Sequence, residues 1–396
     1  MTHQGSHKLP LSLLILAKNE EKCLDFCLSS LKNFVKEIIV FDTGSRDRTI
    51  KVAKTHGAKV IEVPIDKNNR SNTRNRLIEN ASQPWILMFD ADFRIADKDL
   101  PKLASIINHP KAKAYRLRIR NYSNNIPLFY HWKPCQNEYP KEEKFSKCFG
   151  YYDRKKIILF GNQPEIRCKG RIHDVVNHSI YENHLSILDS DILVHHFEFF
   201  KGTAHYLKKH AYYLELEKKE ANEWSRDKHH YLNIVSDSIL TNQNSSEARR
   251  WVRKLIKLDP RESQSWCLRA MIEMEAQRLN LAEKYLFKSV ALQPLFSNLC
   301  LLGWLYLRKN DFDKSRLFLK KALKIQPNDP LAMNLLGILK ERSGRYREAL
   351  MLFKKASRIH PGYADAVFNQ AVIYEKTGRS RQSRILYKKA KQLTAI

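Results

Sequence analysis

The sequence predicts an α/β domain in its first half and an all-α repeat solenoid in its second. Three observations predict this. Short unbroken apolar runs alternate with helix-patterned segments over the first hundred residues, as strands of a parallel sheet covered on both faces require. Prolines at 260, 294, 327 and 361 recur about every 34 residues, the period of a two-helix repeat. The fourth apolar run, Trp85 to Phe89, enters two aspartates one residue apart, Asp90 and Asp92. The expected divisions are an α/β domain over 1–200, a helical connector over 201–228, and repeats over 229–396, about five helix pairs.

The elements follow in order. Leu11 to Ala17 reads as the first strand, and Lys18-Asn19-Glu20-Glu21 opens a helix carrying Leu24, Leu28 and Leu31 at helical spacing. Glu37 to Asp42 is the second strand, ending in an acid. Thr43-Gly44-Ser45-Arg46-Asp47-Arg48-Thr49 is a turn that caps a helix with Ile50, Val52 and Ala53, closed by Gly57. Lys59 to Val63 is the third strand, Asn72 to Ala81 a helix, and Trp85 to Asp90 the fourth strand. Alternation from Ala114 to Ile119 predicts a further strand.

Composition narrows the classes. Lys+Arg 70 against Asp+Glu 42 gives a net charge of +28, which suits an anionic partner: nucleotide phosphates, nucleic acid or an anionic membrane surface. No apolar run approaches the ~18–20 residues of a membrane span, and no secretory signal pattern is read. Seven scattered cysteines in a long chain fit reduced thiols and a cytoplasmic setting rather than a disulfide framework. Neither GxGxxG nor GxxxxGK[ST] is present, so a dinucleotide-binding sheet and a P-loop are unsupported. No RNP, KH or helix-turn-helix pattern supports nucleic-acid binding.

In a parallel sheet, ligands bind beyond the carboxyl ends of the strands. Asn19 and Glu20 follow the first strand, Asp42 ends the second, and Asp90 and Asp92 end the fourth. Side chains two apart on a strand point the same way, so Asp90 and Asp92 are expected as a carboxylate pair. Two adjacent anions are costly to bury unless a cation joins them. A hard divalent ion shared with diphosphate oxygens is the natural partner.

Leu14 to Glu21, Ile38 to Thr49, Arg74-Asn75 and Asp90-Ala91-Asp92, in this order, resemble family 2 glycosyltransferases of the GT-A nucleotide-diphospho-sugar transferase fold. The resemblance implies that Ala17, Asn19, Glu20, Asp42, Gly44 and Ser45 hold the nucleotide of a nucleotide-diphosphate sugar. It implies Arg74 near the phosphates, where a guanidinium pairs well with phosphate oxygens. Asp90 is implied for both nucleotide and metal, and Asp92 for the metal, Mg²⁺ or Mn²⁺. Gly161 to Asp174 is similar to a segment of repeat-bearing members that reads roughly PEIR…GRIHE. Asp174 stands where that pattern has Glu, and the resemblance gives it the general-base role toward the acceptor, with His173 as the alternative base or ligand. His195-His196-Phe197 resembles the stretch that closes the catalytic domain, with His196 as a metal or diphosphate contact. Between these stretches, Arg116, Arg118, Arg120, Tyr122, Phe129, Tyr130, His131 and Trp132 form a basic, aromatic region suited to a sugar or peptide acceptor, or to core packing.

In the second half, Ala248, Ala282, Ser315 and Ala349 precede the prolines, with Gly303 and Gly337 further upstream. This phased series resembles tetratricopeptide repeats, which offer a groove for a protein partner or a surface for a homodimer. Some family 2 members with such repeats are peptide S-glycosyltransferases that modify bacteriocin cysteines. Others are similar to enzymes that decorate lipopolysaccharide or other envelope glycans. The acceptor is therefore expected to be a peptide or a glycan, with peripheral contact at the inner membrane face for a lipid-linked one. The contrasting expectation is a non-catalytic repeat scaffold with a sugar-nucleotide-binding domain.

Overall fold

The first strand, β1 (Leu9–Ala17), carries apolar side chains on both faces, and Leu11, Leu13, Leu14 and Ile15 are fully buried. The computed structural model describes residues 8–66, 69–123, 132–135, 150–170, 175–197, 203–223, 228–240 and 245–394. They fall into two units, 1–122 with 153–200, and 123–152 with 201–396. The described residues 123, 132–135 and 150–152 group with the helical unit.

In the first unit β1 is followed by α1 (Glu21–Ser29), β2 (Val35–Asp42), α2 (Thr49–Thr55), β3 (Lys59–Glu62), α3 (Arg70–Glu79) and β4 (Trp85–Asp90). Then come β5 (Phe93–Ile95), α4 (Leu100–Asn108) and β6 (Ala114–Tyr122). After β7 (Lys133–Pro134), which belongs to the second unit, β8 (Gly150–Gly161), α5 (Asn177–Glu182) and β9 (Ile187–His196) complete the sheet. Its order is β3-β2-β1-β4-β8-β6-β9-β5. The first four strands are parallel, as expected, but β8 runs antiparallel to β4 and β5 antiparallel to β9, so the sheet is mixed.

Strand alternation divides the core. Leu13, Ile15, Val40, Leu87 and Phe89 face one layer with Leu24, Leu28 and Leu103. Leu14, Ile39, Phe41, Ile86 and Met88 face the other, with Leu77, Ile78 and Ile180. Each fully buried Leu or Ile contributes about 1.5–3 kcal/mol of apolar transfer. The register then fixes the rim, because Ala17 pairs with Asp42 and Leu16 with Asp90. The polar ends of β1, β2 and β4 stand side by side.

The second unit holds α6 (Thr203–Glu223), α7 (Lys228–Leu240), α8 (Ser245–Leu258), α9 (Ser263–Glu275), α10 (Leu279–Leu292) and α11 (Phe296–Arg308). It continues through α12 (Phe312–Ile325), α13 (Pro330–Arg342), α14 (Tyr346–Ile359), α15 (Ala364–Lys376) and α16 (Ser380–Thr394). Pro260, Pro294, Pro327 and Pro361 each stand two residues beyond a helix end, where proline cannot extend the helix. Close helix approach explains the small residues. A Cβ on Gly303 would lie 2.5 Å from Leu319 Cγ, and one on Gly337 would lie 2.4 Å from Phe353 Cε1. The expected connector is α6, whose Leu214 and Ala221 share a core with Tyr231 and Ile234 of α7.

Candidate functional site

The loops after β1 and β2 are stitched into one rim. The Ala17 carbonyl accepts from both the Thr43 N–H (3.0 Å) and the Thr43 hydroxyl (3.1 Å). Asn19, in the left-handed region at φ 56, donates its N–H to Ser45 Oγ (2.8 Å) and accepts from the Arg46 N–H (2.8 Å). Glu20 donates its N–H to Thr49 Oγ1 at 2.7 Å.

Asp42 sits at the centre of this rim and is 1% exposed. Its Oδ1 accepts from the N–H groups of Gly44 (3.0 Å) and Ser45 (2.8 Å). Gly44 makes this possible at φ 94, a backbone conformation that L side chains rarely adopt. The other oxygen, Asp42 Oδ2, is buried and has no hydrogen-bond partner among the described residues. An unmade hydrogen bond on a buried charged group costs about 1–3 kcal/mol or more. Such an atom is suited to a donor brought by a ligand, as a ribose hydroxyl or a base N–H would be.

Asp90 and Asp92 are set by different pieces of backbone. β4 ends at Asp90, and Asp92 lies in the turn before β5, so strand alternation does not extend to it. Positive or ring-nitrogen groups face both acids, and His196 lies near enough to act on Asp90 as well as Asp92. Arg74, buried on α3, donates from Nη2 to Asp90 Oδ1 at 2.9 Å. Lys156 of β8 lies 3.9 Å from Asp90 Oδ2. Burial pushes the Asp90 carboxyl up, but Lys156 and Arg74 together outweigh it and hold the group well below the usual carboxylate range. Asp92 is 6% exposed, and His196 Nε2 stands 3.6 Å from its Oδ1. The other ring nitrogen, His196 Nδ1, is 2.8 Å from Asn121 Oδ1, and the ring meets Phe93 edge-on. This orients Nε2 toward the acid. Antiparallel pairing of β5 with β9 sets Phe93 opposite His196 and so brings the turn to the histidine.

His195 points elsewhere. It is buried, its Nδ1 is 2.7 Å from the Tyr122 hydroxyl, and burial pushes its pKa down to about 3. It is a neutral core histidine, and His196 alone of the pair reaches the acids.

The structure therefore brings together the predicted Ala17, Asn19, Glu20, Asp42, Gly44 and Ser45 in one rim, Arg74 with Asp90, and His196 with Asp92. Asp174 and His173 lie outside the described residues, as do Phe129, Tyr130 and His131. Arg116 and Arg120 pair with Asp189 (2.9 Å) and Asp153 (3.0 Å), and Tyr122 and Trp132 are buried. Sequence reasoning missed Lys156 and Asn121. Lys156 is one of 70 basic residues, and its place beside Asp90 follows only from β8 lying next to β4.

Among the described residues, no three His, Cys, Asp or Glu side chains converge as a metal cage. The Asp92 carboxylate is a donor that Mg²⁺ or Mn²⁺ accepts, with phosphate oxygens and water in the remaining positions, and His196 Nε2 stands beside it.

Residues 12–163 match the family described as Glycosyl transferase family 2. Residues 296–329 and 318–351 match two Tetratricopeptide repeat families. A TPR repeat-containing protein of Synechococcus elongatus is 31% identical over 177 residues, covering 44% of this chain and 38% of that protein. The SPbeta prophage-derived glycosyltransferase SunS of Bacillus subtilis is 37% identical over 93 residues, covering 23% of this chain and 22% of that protein. The lipopolysaccharide core biosynthesis glycosyltransferase LpsC of Rhizobium meliloti is 34% identical over 99 residues, covering 24% of this chain and 36% of that protein. The chain thus spans well under half the length of each of these relatives.

Proposed function

We propose, from the premise that this chain carries a glycosyl transferase family 2 domain followed by tetratricopeptide repeats, that it moves a sugar from a nucleotide-diphosphate donor to an acceptor with inversion. The observation that carries the reading is the buried, unpartnered Asp42 Oδ2 on a rim shared with Asp90 and Asp92.

In this reading Asp42 accepts a hydrogen bond from the base or ribose. Arg74 and Lys156 supply positive charge beside the diphosphate and keep Asp90 ionised. Asp92 and His196 would hold Mg²⁺ or Mn²⁺, which when bound supplies counter-charge to the diphosphate leaving group. The acceptor nucleophile forms a bond to the anomeric carbon as the carbon–oxygen bond to the diphosphate breaks on the opposite face. Asp174, with His173 as the alternative, takes the acceptor's proton; this role rests on the sequence resemblance. The acceptor is a peptide side chain or an envelope glycan. The kinship with a lipopolysaccharide core enzyme supports the glycan, and the repeats support a protein partner or a second copy of the chain. Among the described residues no helix is long and apolar enough to cross a membrane.

The test is incubation with a panel of nucleotide sugars and Mn²⁺, following nucleotide release by background hydrolysis. Wild type is expected to release nucleotide from one donor, and Asp92→Ala to lose that release. Equal rates in the two proteins would sink the proposal.

A further inference from the structure

The second unit holds a cavity of about 580 Å³. It is lined by the turn from Gln326 to Pro330 between α12 and α13, by Lys355 and Arg358 of α14, and by the segment Trp132 to Pro134. The volume falls within the ~300–1,000 Å³ of small-molecule sites.

Comparison along the repeats shows what is special here. Leu258, Leu292 and Ile325 end the second helices of successive repeats and are 40%, 39% and 46% exposed. Ile359, the next in phase, is half-buried at the cavity wall, and His360 after it is fully buried. Ile359 packs with Met333, Ala356 and Ala366, and His360 meets Tyr363 on one side and the Trp132 ring, stacked at 4.6 Å and 14°, on another. The Trp132 Nε1–H donates to the Ser123 carbonyl at 3.0 Å. A Cβ on Gly150 would lie 1.9 Å from Trp132 Cζ2, so glycine is what lets the indole pack there. Trp132 is therefore a fixed wall, and the proline rings of the lining add to the apolar surface.

The charge of the cavity is one-sided. Lys133, Lys355 and Arg358 line it, all exposed, and none has an acidic partner among the described residues. The acid in the lining, Asp329, is buried and accepts from the Ala332 N–H at 2.9 Å as the N-cap of α13. Three cations around an apolar-walled cavity suit a doubly charged group with an organic body, since a guanidinium and two ammonium groups can share its oxygens.

We propose that this cavity binds a phosphate-bearing small molecule, either free phosphate or a phosphorylated sugar. The inference is independent of the glycosyl-transfer reading. It is tested on the full chain by calorimetry with inorganic phosphate, a hexose phosphate and the neutral hexose, and by following the Trp132 indole resonance during each titration. Trp132→Phe assigns that resonance among the six tryptophans. The expected result is saturable binding of one or both phosphates, with a Trp132 shift, and none of the neutral hexose. Tighter hexose phosphate identifies the sugar ester as the ligand class, and tighter phosphate the free ion. Lys355→Ala/Arg358→Ala is expected to weaken binding at least tenfold. Lys388→Ala/Lys389→Ala, which removes the same charge from exposed positions on α16, should leave it unchanged. The calorimetry stands even if Trp132→Phe does not fold. Absence of saturable binding in wild type, or equal weakening in both double variants, overturns the proposal.

Discussion

Asp42→Asn isolates a single atom. The two N–H groups of Gly44 and Ser45, at 3.0 and 2.8 Å, point at Oδ1. The asparagine must keep its carbonyl oxygen there, because the flipped amide would set an NH₂ against two donors. The substitution therefore preserves the turn and changes only the buried, unpartnered Oδ2, which becomes a donor. A hydrogen bond to a charged group contributes about 1.5–3 kcal/mol. Its loss raises Kd for the donor nucleotide roughly 10- to 150-fold, since each 1.4 kcal/mol is tenfold. The assay is calorimetric titration of the full chain with nucleoside diphosphates, with the thermal midpoint measured on the same samples. The variant should unfold near the wild-type midpoint while losing affinity. A folded Asp42→Asn protein that binds within twofold of wild type would refute the assignment of Oδ2 to the nucleotide.

Removing the His196 imidazole with His196→Ala should weaken Mn²⁺-dependent donor binding and leave metal-free nucleotide binding near wild type, measured by titration with and without chelator. Gly303→Ala forces a methyl to within 2.5 Å of Leu319 Cγ; overpacking of this kind costs about 1–3 kcal/mol, read as a lower urea midpoint by circular dichroism at 222 nm. Burial pushes the Asp329 carboxyl up to about 6, against about 3.9 in an unfolded chain. The folded helical unit thus binds this proton more tightly, so it loses stability as pH rises from about 4 to 6 and then levels off, by ~2–3 kcal/mol. Asp329→Asn keeps an N-cap oxygen and should be more stable than wild type at pH 7 by up to that amount, with little difference at pH 4; urea midpoints at the two pH values check this.

Much of the architecture was legible because it is written locally. Trp85 to Asp90 is strand over the full expected span, since an unbroken apolar run bounded by polar residues is buried on both faces. The phased prolines mark helix ends because proline has no N–H to continue a helix. Asp42 with Gly44 and Ser45 is also local, a carboxylate closing its own turn within three residues.

What the sequence could not determine depends on which distant segments become neighbours. The strand rule reaches only as far as Asp90, where the strand stops, and the groups that face the two acids come from elsewhere. Arg74 arrives from a helix, Lys156 from a strand 66 residues on, and His196 from a strand more than a hundred residues on. Trp132 likewise finds His360 across most of the chain length. Sequence periodicity reports which face of an element is buried, and here it determined the sheet core, the repeats and the acids of the rim. Only strand order, register and helix docking decide which charges share a site, because Coulomb and hydrogen-bond energies depend on distance in space and are silent about distance along the chain.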